Sequence, residues 1–227
     1  MGLERLLKHD ARGMSSLQIS TFLNGDPIVK QRPTLVRVVP RDRLKRAQRE
    51  IRQLAAQAGG VPRVTVVSNT DPSSKPGRHW VAYYFVGTDD RSRRSYAVDF
   101  FCSYGSKSTD YAKDIAQFGA ELCRLVTKVT GRDCTVRSNS TQIQSHSSAV
   151  CGHLSILFLL FRVRGHPGRE LIKLLVSRPP GEFDGAVRSI LWCSRRCVLY
   201  DMSTERRLRR STLFRGAKIQ RCCSRNR

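Results

Sequence analysis

The stretch "TQIQSHSSAVCGHLSILFLLF", Thr141 to Phe161, changes within a few residues from small polar groups through one cysteine to an almost wholly apolar run. The segment after Gly152 is apolar on all sides, which indicates a central helix packed inside the core. The run from Leu154 to Phe161 is far shorter than the roughly 20 residues that a bilayer-spanning helix needs. We therefore expect a soluble chain with no membrane partner and with Cys151 at the start of its central helix.

Short β-rich segments between turn signals precede this helix. They are "RVTVVSN", "HWVAYYFVG", "SYAVDFF" and "RDCTVRS". The second and third are predicted to be adjacent strands of one sheet, joined by a charged hairpin loop. Apolar residues at helical spacing predict amphipathic helices from Arg41 to Ala58, ended by Gly59 and Gly60, and from about Thr109 to Thr130. The order of these elements favours a mixed α+β fold, a central sheet flanked by helices.

The two ends of the chain give weaker patterns. Pro27, Pro33 and Pro40 break the first forty residues into short pieces, so turns and at most one edge strand, "TLVRVV", are predicted there. The 227 residues fit a single domain, 1–227. Its last part, from about 178 to 227, is dominated by arginine, which fits either a helix on the body or a basic tail that orders only on binding.

The chain is strongly basic, with 41 Lys and Arg against 18 Asp and Glu, a formal net charge of +23. Such a balance attracts polyanions by releasing condensed counterions, so nucleic acid is an expected partner. A merely solvated cationic surface is the simpler alternative, because charge alone identifies no groove-reading element.

The eight cysteines follow no signal peptide, since the first thirteen residues contain no apolar stretch and no small-residue cleavage site. A reducing, intracellular setting is therefore expected, in which most thiols are packing residues. Cys193 and Cys197 lack the second pair that a zinc site needs, and the adjacent Cys222 and Cys223 cannot easily supply one. We expect no metal.

Cys151 has the surroundings of a nucleophile. A cysteine attacks as the thiolate, and the first turn of a helix lowers the pKa of a thiol through its unpaired N–H groups and its dipole. Gly152 would let a substrate backbone approach closely, and the polar run "SHSSA" would keep the thiol at a surface.

A nucleophilic thiolate needs a base and a group that orients the base. His79 opens a predicted strand, whereas His153 falls on the second turn of an apolar helix, where a histidine is more often a core residue. If the two strands are neighbours, the carboxylate of Asp99 can lie beside the His79 imidazole and hold its tautomer. Taken alone, Asp99 is more often a salt-bridge or hairpin-end carboxylate.

A fourth candidate is Gln144, seven positions before Cys151. Its side-chain amide could donate to the developing oxyanion together with the backbone N–H of Cys151. Gln142 would project the same way from an extended segment. Spacing favours Gln144, but the pattern does not exclude Gln142.

The order of "HW", "VDFF" and "STQIQSHSSAVCG" resembles the adenovirus-type cysteine endopeptidases, the adenains, over about Leu6 to Phe161. The resemblance implies a papain-like active site in permuted chain order. It assigns Cys151 as the nucleophile, His79 as the base, Asp99 as the orienting carboxylate and Gln144 as an oxyanion donor.

The same resemblance implies a function. Family members cleave viral precursor proteins near glycine-containing sites during particle maturation, and some are stimulated by DNA and by a short basic peptide attached through a disulfide. It implies a monomer that needs no cofactor for chemistry and that acts in the virion and the host cell nucleus. Cys134 lies near the position of that disulfide, although a half-buried thiol in a strand is the preferred interpretation. A related protease encoded by a virus-like transposon would have the same residues, so a virus and a transposon are both possible sources.

Two other functions fit the sequence. The SUMO- and ubiquitin-like deconjugating proteases share the order His-Trp, Asp, Gln, Cys-Gly, but the short chain and the segment before Cys151 are closer to the viral type. A non-catalytic, basic nucleic-acid-binding protein would explain the charge and leave the apparent triad as coincidence.

Overall fold

A five-stranded mixed sheet forms the centre of the protein. The computed structural model describes residues 13–31, 34–88 and 94–176, together with residues 184, 185, 187, 188 and 191. The strands are β1 (Thr34–Pro40), β2 (Arg63–Asn69), β3 (Trp80–Phe85), β4 (Tyr96–Phe101) and β5 (Cys134–Ser138), in that spatial order. The outer pairs β1–β2 and β4–β5 are parallel, and the inner pairs are antiparallel. The predicted mixed sheet, and the pairing of β3 with β4, are confirmed.

Helices cover both faces of the sheet. They are α1 (Ser16–Gly25), α2 (Pro27–Gln31), α3 (Leu44–Ala58), α4 (Lys113–Thr130), α5 (Cys151–Val163) and α6 (Gly168–Val176). One apolar core lies between the sheet and α3 and α4, and a second lies between the sheet and α1, α5 and α6. Because side chains alternate along a strand, Val81 and Tyr83 of β3 face the first core, whereas Ala82 and Tyr84 face the second. The sheet therefore separates two cores.

The central helix α5 begins at Cys151, as predicted, and nearly all of its residues are buried. Its all-round apolar sequence matches this position, because α5 contacts β3 on one side and α1 and α6 on others. Among the described residues, none of the helices has the length and apolar character needed to span a membrane.

The helices α3 and α4 lie close to their predicted bounds. Each ends at a glycine in the left-handed region, Gly59 with φ 64° and Gly131 with φ 67°, as a helix C-terminus favours. Both begin later than predicted, because a 3₁₀ turn precedes each, at Arg41–Arg43 and at Ser108–Asp110.

The prediction that the first forty residues are irregular is wrong for the part that is described. Helix α1 is capped by Ser15 and Gln18, whose side chains each bond the backbone of the other. Ile19, Phe22 and Leu23 bury one side of α1 in the second core. The edge strand in "TLVRVV" is confirmed as β1.

Much of the basic C-terminal region predicted from about 178 to 227 lies outside the described residues. The cysteines at 193, 197, 222 and 223 also lie outside the described residues. Val187 and Leu191 are described, and both are buried against the second core. These two residues therefore contribute to the body of the fold.

Candidate active site

Cys151 contacts the start of β3. The backbone N–H of Trp80, the residue that follows His79, is oriented to favour the thiolate form of Cys151. One turn further along α5, the Ser155 hydroxyl donates to the Trp80 carbonyl over 3.4 Å. These contacts hold the N-terminus of α5 against the strand end that carries His79, so the two predicted elements come together.

The Cys151 thiol is more buried than the sequence predicts, with a relative exposure of 8%. Burial raises the pKa of Cys151. The backbone N–H groups of Trp80, Gly152 and Cys151 act in the opposite direction, as expected at a helix N-terminus, but burial outweighs them. The expectations of a surface thiol and of a lowered pKa are therefore wrong for the free protein.

Gly152 serves packing within the chain rather than an open approach for substrate. A Cβ atom at this position would lie 3.1 Å from Met14 Cβ and 3.3 Å from Ile19 Cδ1 and Trp80 Cδ1. The Trp80 Nε1–H donates to the Met14 carbonyl over 2.9 Å, which fixes the segment before α1 over this glycine. The N-terminal helix thus occupies the space that Gly152 leaves.

His79 is buried in an aromatic stack. Its ring lies 4.5 Å from the ring of Tyr104, centroid to centroid, and Tyr104 in turn stacks on His146 at 5.0 Å. Burial lowers the pKa of His79 to about 4, so the imidazole is neutral at neutral pH. The Nδ1 atom is buried and has no hydrogen-bond partner among the described residues. A neutral imidazole with an unused nitrogen is what a general base requires.

Asp99 does not lie beside His79, which corrects the prediction. Its Oδ1 accepts hydrogen bonds from Arg137, and its Oδ2 accepts them from Arg162, at 2.7 to 2.9 Å. In the β3–β4 register Asp99 is opposite Tyr84, five residues from His79 along the strand, or roughly 16 Å.

The alternation of side chains explains the error. On β4, Val98 and Phe100 face the same core as Val81 and Tyr83 of β3, and His79 is in phase with these two β3 residues. Asp99 is out of phase and points to the other face, where it meets Arg162 of α5. The salt-bridge alternative for this carboxylate is the one that the structure contains.

Gln144 is buried, with a relative exposure of 1%, and its side chain is fixed at both ends. Its Oε1 accepts from the Ser103 hydroxyl at 2.6 Å, and its Nε2 donates to the Ser148 carbonyl at 2.7 Å. The Ser148 hydroxyl donates to Asp184, which ties this loop to the chain beyond α6. An amide nitrogen carries two hydrogens, so Nε2 retains one for an oxyanion.

Gln142 differs from Gln144 in its surroundings. It is exposed, and its Nε2 donates to the Gln144 carbonyl at 2.9 Å. Gln142 therefore supports the loop from outside, and Gln144 is the better placed of the two candidates.

Cys102 is a neighbour of His79 that the sequence analysis missed. Its sulfur lies 3.5 Å from His79 Nε2 and 2.9 Å from the Tyr111 hydroxyl, and it accepts a hydrogen bond from the Tyr104 N–H at 3.3 Å. The signal is present in the sequence pattern, because Cys102 continues the alternation of Val98 and Phe100. A thiol does not ordinarily orient a base, so residue type favoured the carboxylate of Asp99 instead.

Two further candidates take structural positions. His153 is buried, as predicted for a core residue, and burial together with Arg188 lowers its pKa to about 4. Cys134 is half-buried at the start of β5, and the neighbouring thiol of Cys123 on α4 raises its pKa. Burial and placement of Cys134 match the preferred interpretation. Within the described residues, no group of three or more His, Cys, Asp or Glu could hold a metal ion.

Comparison with protein families matches the adenovirus endoprotease family over residues 60–220, more than two thirds of the chain. The protein belongs to this family. It is therefore a cysteine peptidase, and the resemblance drawn from "HW" and "AVCG" is confirmed at the level of the family. A search of curated proteins found no match.

A search of solved structures found several that are similar to this chain. The crystal structure of the ASFV pS273R protease is 14% identical, with a TM-score of 0.59, over 83% of this chain and 68% of that chain. The SUMO protease Ulp1 is 13% identical, with a TM-score of 0.46, over 83% and 80%. The central domain of Lpg1148 from Legionella pneumophila is 18% identical, with a TM-score of 0.46, over 82% and 99%. The likeness to the ASFV protease shows a shared fold.

Proposed function

We propose that this protein is a thiol endopeptidase that cleaves viral precursor proteins near glycine-containing sites during particle maturation, in association with DNA. Cys151 is its nucleophile, His79 its base and Gln144 an oxyanion donor. The observation that carries the proposal is the contact at the head of α5, where Gly152 and Ser155 meet Trp80, the residue next to His79.

The reaction follows from the positions of these groups. The Cys151 thiol gives its proton to Nδ1 of His79 and its sulfur attacks the peptide carbonyl carbon. His79 then passes the proton to the leaving amine as the C–N bond breaks and a thioester remains. Water gives a proton to His79 and attacks the thioester, and the C–S bond breaks to release the acid and the thiol.

The burial of the site favours a neutral resting pair. Burial raises the pKa of Cys151 and lowers that of His79, so both groups hold their neutral forms at pH 7. Proton transfer is then expected to accompany the attack of sulfur rather than to precede it. Substrate binding, which brings a polarised carbonyl to the thiol, would supply the interaction that the thiolate lacks in the free protein.

The oxyanion would form beside two donors. One is the free hydrogen of Gln144 Nε2, which the bonds to Ser103 and Ser148 hold in place. The other is the backbone N–H of Cys151, since the first N–H groups of a helix have no partner within the helix. A developing negative charge at this point also faces the positive end of the α5 dipole.

The charge of +23 supports association with DNA. On α3, the exposed face carries Lys45, Arg46 and Arg49. We propose that DNA acts as a track or activator, not as a requirement for the chemistry, because capture on a polyanion concentrates the enzyme with DNA-associated substrates. The enzyme would act as a single-domain monomer, residues 1–227 with a basic region from about 178, in the virion and the host cell nucleus.

An activating peptide, if one exists, would attach through a disulfide at Cys134. Such a bond would need the Cys134 sulfur to leave its contact with Cys123. The peptide, like DNA, would stimulate the reaction without taking part in it.

Peptide cleavage by purified protein tests the assignment. The substrates are a panel of Gly-containing capsid-precursor peptides and, in a separate arm, a SUMO precursor. Cys151→Ala and His79→Ala are expected to abolish cleavage of the peptides, with Cys123→Ala and His166→Ala as matched controls that retain it. Unchanged cleavage in both Cys151→Ala and His79→Ala would refute the proposal, and cleavage of the SUMO precursor alone would favour the deconjugating alternative.

Binding to duplex DNA at increasing salt concentration tests the proposed association with DNA. The logarithm of the binding constant should fall linearly with the logarithm of the salt concentration, by about 0.9 for each phosphate bound. Replacing Lys45, Arg46 and Arg49 with Glu should weaken binding to all sequences and reduce this slope by about one for each cation that no longer pairs with a phosphate. An unchanged slope would remove α3 from the proposed DNA surface.

A further inference from the structure

His79 has no carboxylate partner among the described residues, although a triad base is ordinarily oriented by one. The only carboxylate on the neighbouring strand, Asp99, is held by Arg137 and Arg162 on the other face of the sheet. The pKa of His79 agrees, because burial is its one cause and no negative group raises it. Some other group must fix the imidazole if it is to act as a base.

The atom that faces the second ring nitrogen of His79 is a sulfur. Cys102 follows the last residue of β4, is fully buried and places its Sγ 3.5 Å from His79 Nε2. The two neighbouring contacts of this sulfur are the Tyr104 N–H at 3.3 Å and the Tyr111 hydroxyl at 2.9 Å. Tyr104 also stacks on the His79 ring, so this short segment fixes both the plane and the edge of the imidazole.

The hydrogen-bonding capacity of a thiol accounts for all three contacts. A thiol offers one weak donor and a sulfur that accepts. The Tyr104 N–H can only donate, so it uses one acceptor position of the sulfur. In the assignment in which the Cys102 S–H donates to the Tyr111 oxygen, the remaining acceptor position of the sulfur receives the hydrogen of His79 Nε2. Burial and the bond to Cys102 raise the pKa of Tyr111, so its hydroxyl stays protonated.

We propose that Cys102 is a positioning residue that stands where a carboxylate would stand in a conventional triad, holding His79 with Nε2 protonated and Nδ1 free to accept the Cys151 proton. The inference rests on the proposed function and adds to it the group that selects the tautomer. It also predicts a weaker base than a carboxylate would give, because a neutral thiol orients the imidazole but adds no negative charge to stabilise the imidazolium.

Steady-state kinetics of the full chain provide the first test, with Cys102→Ala, Cys102→Ser and Cys102→Asp compared with the parent. Cys102→Ala should lower kcat by about 10- to 100-fold, by analogy with the loss that follows removal of the hydrogen-bond partner of a metal-bound histidine. KM should stay unchanged, since Cys102 does not reach substrate. Cys102→Asp should recover most of the loss. Cys123→Ala, the same substitution at another buried cysteine, should leave kcat unaltered.

Nuclear magnetic resonance of the ¹⁵N-labelled imidazole provides the second test and does not depend on turnover. In the parent, His79 should be protonated at Nε2 alone at pH 7, and in Cys102→Ala the ring should populate both tautomers. In Cys102→Asp its pKa should rise by about one unit or more, because a carboxylate favours the imidazolium.

The outcomes separate the two ideas. A parent protein that cleaves no peptide but keeps the Nε2 tautomer, and loses it in Cys102→Ala, would sink the proposed function and leave the role of Cys102 intact. Parent-like kcat in Cys102→Ala, or a parent ring protonated at Nδ1, would overturn the role of Cys102. If Cys102→Ala does not fold, Cys102→Ser decides the question, since its hydroxyl accepts the same hydrogen bond and should keep the Nε2 tautomer.

Discussion

Asp99 and Cys102 lie three positions apart on the chain and on opposite faces of the sheet. The environment of Asp99 is charged, whereas that of Cys102 is neutral. Asp99 is surrounded by charge, with Arg137 and Arg162 on its two oxygens and the Arg162 guanidinium 4.9 Å from the Tyr84 ring centroid. The surroundings of Cys102 are neutral, namely His79, Tyr104 and Tyr111. Both oxygens of the Asp99 carboxylate are engaged by arginines, whereas the His79 imidazole is buried, neutral and free at one nitrogen, so it can act as a base.

Both regions act on the same helix. Trp80 packs on the N-terminus of α5 beside Cys151, and Asp99 holds the C-terminal part of the helix at Arg162, roughly 16 Å away along the helix axis. Arg162 also donates to the His166 carbonyl at 2.6 Å, beyond the helix end. The charged region around Asp99 therefore positions α5. The neutral region around Cys102 and His79 serves the reaction of Cys151, the first residue of that helix. Substitutions should separate the two roles.

The largest expected effect is kinetic and falls in the neutral region. Gln144→Ala should lower kcat by about 10²- to 10³-fold, the loss expected when one oxyanion donor is removed. KM should change little, and Gln142→Ala should retain parent activity because Gln142 is exposed and supports the loop from outside. Equal losses in the two variants, measured by steady-state cleavage of the same peptide, would remove Gln144 from its role.

Asp99→Asn should lower stability and leave kcat unchanged, the reverse of what is expected for Gln144→Ala. Replacing Asp99 leaves the largely buried Arg162 and the mostly exposed Arg137 without a carboxylate, and the loss at Arg162 should lower the free energy of unfolding by about 3 kcal/mol. Denaturant unfolding measures this loss, with Glu121→Gln on the exposed pair with Arg52 as the control that loses less than about 1 kcal/mol. The kcat of the folded variant should be that of the parent. A fall in kcat without a fall in stability would restore Asp99 as a partner of the base.

Acidification should destabilise the protein through its buried histidines. The pKa of His79 and of His153 is about 4 in the folded state, against an ordinary histidine value of 6.5, so the unfolded chain binds more protons between these values. Stability should therefore fall as pH drops from 6.5 to 4, by up to about 3 kcal/mol for each histidine, and the loss should stop growing below pH 4.

Unfolding curves at about pH 7 and pH 4.5 measure that change on either side of the window. His79→Gln and His153→Gln should each remove about half of the pH dependence, while His166→Gln should leave it as in the parent. An unaltered pH dependence in His79→Gln would show that folding does not lower the pKa of this imidazole, contrary to its burial in the aromatic stack.

The smallest expected effect concerns the packing that covers the head of α5. Gly152→Ala places a methyl group against Met14, Ile19 and Trp80 and should lower the free energy of unfolding by about 1–2 kcal/mol. Gly25→Ala is the control, because a Cβ atom there has no neighbour within 4 Å among the described residues. Thermal melts of the two variants should differ accordingly, and equal melting temperatures would contradict the close packing of α1 on α5.

Local patterns in the sequence predict the elements of this fold well. Alternation in "HWVAYYF" and "SYAVDFF", and the all-round apolar run after Gly152, place β3, β4 and α5 close to their observed bounds. Helix α1 is not predicted, because the prolines of this region indicate turns. Its own signals are nevertheless present, since Ser15 and Gln18 form a capping box and Ile19, Phe22 and Leu23 have helical spacing.

The site requires information that spacing along the chain does not contain. The presence of His79 and Cys151 follows from residue type and order, but the partner of His79 depends on the register of β3 against β4. A one-residue change in phase moves a side chain to the other face, so the chemistry of Asp99 alone does not establish where its carboxylate points. The net effect of burial on the Cys151 pKa depends on how α1 covers α5, which no local pattern reveals.

Covalent labelling with an irreversible cysteine-protease probe, followed by mapping of the modified residue, tests the central claim most directly. The probe is applied to the native full chain, with and without DNA, and to His79→Ala. We predict rapid modification of Cys151 in the parent and loss of that rapid reaction in His79→Ala. Modification of Cys151 no faster than that of an ordinary thiol, or the same rate without His79, would contradict a catalytic pair at the head of α5.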